Sequence, residues 1–100
     1  MRVRFESKRL ALLYSEEAGA KRYPSEVVNS FFEVMAAIGS AIDERDLYAL
    51  KGLHFEKLKG GRKSERSMRL NRSWRLIVRM ERDDSGKLVV VIDLENHYGD

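Results

Sequence analysis

The chain contains no cysteine, which removes disulfides, thiolate nucleophiles and cysteine-based zinc sites together. It has only two histidines, His54 and His97, far apart and without the spacing of metal ligands. No apolar run approaches the ~18 residues that a membrane-spanning helix needs. The N-terminus is charged and lacks an apolar signal region. Walker-type phosphate loops, a Gly-x-Ser-x-Gly elbow and a Ser/His/Asp pattern are all missing, which argues against nucleoside triphosphate binding and acyl-transfer hydrolysis. These absences predict a cytoplasmic protein that needs no metal, no cofactor and no membrane.

What is present is an uneven charge. The 100 residues carry a net charge of only +3. Residues 51–82, however, hold 11 Lys and Arg against three acids, Glu56, Glu65 and Glu81, a net of +8, so the remainder sums to −5. Charge segregated in this way builds a one-sided positive field whose natural partner is a polyanion. Hydrophobic content of 43% and the absence of linkers or repeats predict one domain, residues 1–100, around one core.

Periodicity organises that domain. Val3 and Phe5 alternate with Arg2, Arg4 and Glu6 as a short strand, and Ser7 caps a helix carrying Leu10, Leu13 and Tyr14, ending near Gly19. Pro24 fits the first turn of a second helix, whose stripe is Val27, Val28, Phe31, Val34, Met35, Ile38 and Ile42. Asp43 caps a short third helical piece through Leu50, closed by Gly52. The period then becomes two. Trp74, Leu76, Val78 and Met80 alternate with Arg75, Ile77, Arg79 and Glu81, with residues 64–70 as the antiparallel partner across a turn at Asn71-Arg72. Asp83-Asp84-Ser85-Gly86 makes a second turn, and residues 87–98 form a central strand apolar on both faces. The fold class is α+β: an N-terminal strand and two main helices on one face of a mostly antiparallel twisted sheet ending in a β-meander.

With the helices covering the Trp74, Leu76, Val78 and Met80 face, Arg75 and Arg79 point to the other. Arg69 is a candidate to join them, its register being open at this stage. That second face, flanked by the loop of residues 57–63, is expected to be a basic platform whose excess charge is not balanced locally. Asp93 and Glu95, two apart on the last strand, fit a role in balancing that platform better than glycoside hydrolysis.

The motif Leu58-Lys59-Gly60-x-Arg62, then Ser67-Met68-Arg69-Leu70-Asn71-x-x-Trp74-Arg75-Leu76, then a Val-rich strand ending Glu95-Asn96-His97-Tyr98, resembles the HigB branch of the RelE/ParE toxin superfamily. The likeness covers about half the chain. It implies a RelE/ParE-like fold and the toxin of a type II toxin–antitoxin system, a ribosome-dependent mRNA endonuclease neutralised by a helix-turn-helix, HigA-like antitoxin. It further implies chemistry without metal, in which a 2′-hydroxyl attacks the adjacent phosphate to leave a 2′,3′-cyclic phosphate or 3′-phosphate. Lys59 and Arg75 fall on family positions that contact the scissile phosphate, where they would stabilise the transition-state charge.

Two departures stand out. Glu56 occupies a position that is often histidine in the family, with His54 two residues earlier, and the terminal Tyr and His are exchanged as His97-Tyr98. Strict strand alternation puts His97 on the Arg75 face, as the general acid or base, and Tyr98 on the core side with Leu94, supporting it or stacking on a base; a bulge near the strand end reverses them. The expected catalytic set is therefore Lys59, Arg75, His97 and Tyr98, and the RNA-binding set is His54, Lys57, Arg62, Lys63, Arg66, Arg69 and Arg79. Two other readings stand beside this one: a ParE-like inhibitor of a protein target, and a relative that binds RNA without cutting it.

Overall fold

A computed structural model describes residues 1–62 and 64–96. The strands are β1 (Arg2–Phe5), β2 (Glu56–Lys57), β3 (Glu65–Arg69), β4 (Trp74–Asp83) and β5 (Gly86–Asn96), and the helices are α1 (Lys8–Glu16), α2 (Ser25–Ser40) and α3 (Glu44–Ala49). The sheet order is β1-β5-β4-β3-β2. Only β1 and β5 run parallel; β5, β4, β3 and β2 pair antiparallel. The expected α+β architecture is met, with β5 in the interior of the sheet because its Val-rich run has apolar residues for both faces.

Local chemistry sets most boundaries. The Ser7 hydroxyl accepts the Leu10 N–H at 3.2 Å and starts α1, while Glu17 ends it in the left-handed region at φ 55°. Pro24 stands one residue before α2, in extended conformation, and its carbonyl accepts the Val27 and Val28 N–H groups. Asp43 caps α3 through the Arg45 N–H at 2.9 Å.

Two expectations need correction. The α2 stripe stops at Ile38, since Ala41 turns extended and Ile42 is 86% exposed, its N–H held by the Asp46 carboxylate at 2.8 Å. A capped α3 thus sets the end of α2 against the apolar pattern. Gly52 does not close α3 either. Leu50 leaves the helix extended, a 3₁₀ turn spans Lys51–Leu53, and His54 adopts the left-handed conformation at φ 48°.

One core fills the space between helices and sheet. Leu10 and Leu13 of α1, Phe31 and Ile38 of α2, and Leu47 of α3 meet Met68, Leu76, Val78, Val89 and Val91, all nearly fully buried. Burying each such side chain is worth roughly 1.5–3 kcal/mol. The β4–β5 ladder slips between Ile77 and Val78, so Ile92 is an extra residue in β5, and beyond it Leu94 returns to the core face opposite Leu76. On the far face Ile77, Leu88 and Val90 are also buried although no helix covers them. Val90 lies in one row with Arg4 and Arg79, and Leu88 with Arg2 and Glu81. The aliphatic stems of those long side chains roof the apolar residues while their charged ends stay in water.

Candidate nucleic-acid interface

The helix-free face is a mosaic rather than a uniformly basic platform. Arg2 forks onto Asp83 at 2.7 and 2.9 Å. Arg4 pairs with Glu81 at 2.6 Å, Glu81 with Arg79 at 2.6 Å, and Arg79 with Glu6 at 3.0 Å. The Arg2 side chain, with the Ser85 N–H, lowers the Asp83 pKa to about 2, and Arg79 and Arg4 together lower that of Glu81. Part of the positive excess is therefore balanced in place, contrary to expectation: Glu6, from outside residues 51–82, folds onto Arg79, while Arg2 and Arg4 of β1 bring cations that Asp83 and Glu81 offset.

The balance fails at one end. Arg69 of β3 stands directly opposite Arg75 of β4, and neither forms an ion pair among the described residues. Like charges facing across a ladder are destabilising. Arg75 turns Nη1 to the carbonyl oxygens of Asn71 and Trp74, at 2.9 and 3.2 Å. Arg69 Nη1 lies 3.5 Å from Nε2 of His54, the residue in the left-handed turn after Leu53. The loop of residues 70–73 ends this row, held by the Asn71 side-chain oxygen, which accepts the Ser73 and Trp74 N–H groups at 2.9 and 2.8 Å. It also carries the exposed Arg72, a cation at the same end that sequence reasoning passed over. Beside Arg69, a cavity of about 410 Å³ opens between Ser30, Glu33 and Val34 of α2 and the Lys51–Leu53 turn.

The other expected residues fall in different places. Arg62, in the 3₁₀ turn Gly60–Arg62, reaches across the face to Glu65 and Glu95. Lys59 is exposed on the approach to that turn, just after Leu58, whose N–H bonds the Glu65 carbonyl at 3.1 Å. Arg79 lies four residues along β4 from Arg75, roughly 13 Å away, with its guanidinium engaged by Glu6 and Glu81. Lys57 and Arg66 pair with each other in register and belong, with Val78, to the helix side of the sheet. Lys63, His97 and Tyr98 lie outside the described residues. No helix among the described residues is long and apolar enough to cross a membrane.

This fold is that of small bacterial toxins. Over 98% of this chain and 100% of the other, it matches a YoeB/ParE toxin from Agrobacterium tumefaciens with a TM-score of 0.61 at 19% identity. It matches YafQ from E. coli over 96% of this chain and 93% of that one, with a TM-score of 0.60 at 15% identity. The sequence is 32% identical over 77 residues to Toxin HigB-1 of Vibrio cholerae serotype O1, covering 77% of this chain and 81% of the relative. Residues 3–97 match the model of the HigB-like toxins, described as RelE-like toxins of type II toxin–antitoxin systems. The chain belongs to that family, as its motifs implied. Membership makes it the toxin component of a type II system and carries the endoribonuclease expectation in its general form.

Proposed function

We propose that this toxin is a ribosome-dependent mRNA endonuclease whose cutting site lies at the Arg69–Arg75 end of the open face. The observation that carries the reading is the facing pair itself: two guanidiniums opposite each other, neither in an ion pair among the described residues, with Glu95, the next residue of the row, bound to Arg62. A phosphodiester between them relieves the repulsion and takes charge-assisted hydrogen bonds from planar forks suited to phosphate oxygens. In this reaction the 2′-hydroxyl attacks the adjacent phosphorus, the P–O5′ bond breaks, and a 2′,3′-cyclic phosphate and a 5′-hydroxyl result. Arg75 and Lys59 stabilise the charge that accumulates on the pentacoordinate phosphorus. His97 moves the proton and Tyr98 supports it. Both follow directly on Asn96, the β5 residue paired with Trp74 beside Arg75.

RNA approaches along His54, Arg69 and the loop of residues 57–63, with Arg79 as an outlying cation; Arg66, on the helix side of the sheet, stays out of its path. Metal-free chemistry rests on the family resemblance. The partner is a cognate helix-turn-helix antitoxin of the HigA type, a toxin–antitoxin pairing like that of the YoeB–YefM complex of Staphylococcus aureus, which shares this fold with a TM-score of 0.59 at 20% identity over 98% of both chains.

The test is cleavage of a translated mRNA by the purified toxin with ribosomes. Arg75→Ala is expected to slow cutting by roughly 10²-fold or more, as when a transition-state donor is removed, with an unchanged urea midpoint. Cleavage at the wild-type rate would remove Arg75 from the site.

A further inference from the structure

Arg62 holds two carboxylates that belong to strands that are not neighbours. Its Nε donates to Glu65 of β3 at 2.8 Å, and Nη1 and Nη2 donate to Glu95 of β5 at 3.2 and 2.6 Å. β4 runs between them. The three side chains are partly shielded, at 41%, 24% and 28% exposure for Arg62, Glu65 and Glu95. A planar fork can grip both oxygens of Glu95 while Nε reaches Glu65; the compact ammonium of lysine cannot reproduce that two-point geometry.

Glu95 is also the cross-strand partner of Arg75 in the β4–β5 register. Opposite charges so placed normally pair with each other. Here Glu95 instead meets Arg62 head on, in a two-point contact, and Arg75 turns to the carbonyls of Asn71 and Trp74. The same contact ties the turn after Lys59 to the Arg75 row.

We propose that Arg62 is a positioning residue that sequesters Glu95, keeping Arg75 available to a phosphate, rather than a residue that touches RNA itself. This rests on the reading of the open face as a phosphodiester site. It predicts that the damage from losing Arg62 comes from Glu95. Without Arg62, the Glu95 carboxylate swings to Arg75 and occupies the guanidinium that the phosphate needs.

The experiment titrates a single-stranded RNA oligonucleotide, 2′-O-methylated so that it cannot be cut, against Arg62→Ala, Arg62→Lys, Glu95→Gln and the double variant Arg62→Ala/Glu95→Gln. The urea midpoint of each confirms that it is folded. Arg62→Ala is expected to weaken binding by roughly tenfold, the loss of about one charge-assisted contact. Glu95→Gln is expected to bind at least as tightly as wild type, and the double variant to recover most of the loss. Arg62→Lys, which keeps the charge without the fork, falls between wild type and Arg62→Ala, and it carries the comparison if Arg62→Ala does not fold.

A double variant no tighter than Arg62→Ala overturns the proposal. So does a salt dependence shallower by about one charge in Arg62→Ala that Glu95→Gln leaves uncorrected, because that marks a direct phosphate contact. Wild-type toxin that binds the oligonucleotide but does not cut translated mRNA refutes the nuclease reading instead, and the binding pattern of the four variants still decides the role of Arg62.

Discussion

Asn71→Ala removes the support of the turn that aims Arg75. The side-chain oxygen of Asn71 accepts two half-buried N–H groups, of Ser73 at 2.9 Å and Trp74 at 2.8 Å, and its amide donates to Glu26 on α2 at 3.0 Å. Each of the first two bonds is worth roughly 0.5–1 kcal/mol net; the exposed contact to Glu26 adds only a few tenths. The variant should therefore lose about 1–2 kcal/mol, or roughly 5–15 °C in Tm for a domain of this size. Asn71→Asp keeps the acceptor and gives up the donor, so it should retain at least half of that stability. Urea unfolding followed by Trp74 fluorescence reads both, since Trp74 is the chain's single tryptophan and packs edge-on against Tyr23 at 5.5 Å beside the turn. A cost for Asn71→Ala below about 0.5 kcal/mol, or a loss in Asn71→Asp as large as in Asn71→Ala, would show that the Asn71 oxygen does not hold the turn.

Ile38→Ala should cost roughly 2–5 kcal/mol by opening a cavity, whereas Ile42→Ser, four residues on, should stay within about 0.5 kcal/mol; equal losses in urea midpoint would place Ile42 in the core after all. Acid should weaken the Arg2–Asp83 pair in a defined window. The folded Asp83 pKa is lowered to about 2 from 3.8, so its contribution is present above pH 4 and is lost as pH falls from there toward 2. Asp83→Asn should flatten that part of the stability profile at low salt, and a profile identical to wild type would show that the exposed pair contributes nothing.

The sequence disclosed the elements whose signals are local. The alternation from Trp74 to Glu81 gave β4 and its two faces, Ser7 and Asp43 marked helix starts, and the Val27-to-Ile38 stripe gave the buried side of α2. Ile42 escaped because the end of α2 is decided by a capped neighbour and not by hydrophobic spacing. Arg66 escaped because its face depends on the register across the loop of residues 70–73, which a one-residue shift would invert. Arg75 was legible as a candidate from motif and period together. The quiet part of the open face was not, since its ion pairs join residues far apart in the chain: Glu6 with Arg79, Arg2 with Asp83, Arg62 with Glu95. No pattern read along the chain reveals which acids a sheet will bring to which cations.

The interior position of β5 has a consequence for how the toxin is made. β1 and β4, its two neighbours in the sheet, both leave the ribosome before it does, and β1 precedes it by most of the chain. Until β5 emerges, β1 has no neighbour in the sheet, the core lacks Val89, Val91 and Leu94, and Arg75 has no strand on its far side. Such long-range pairing is slow to form and comes late. The sheet therefore closes last at its middle, and the row that holds Arg75 is complete only once residues 86–96 have been made.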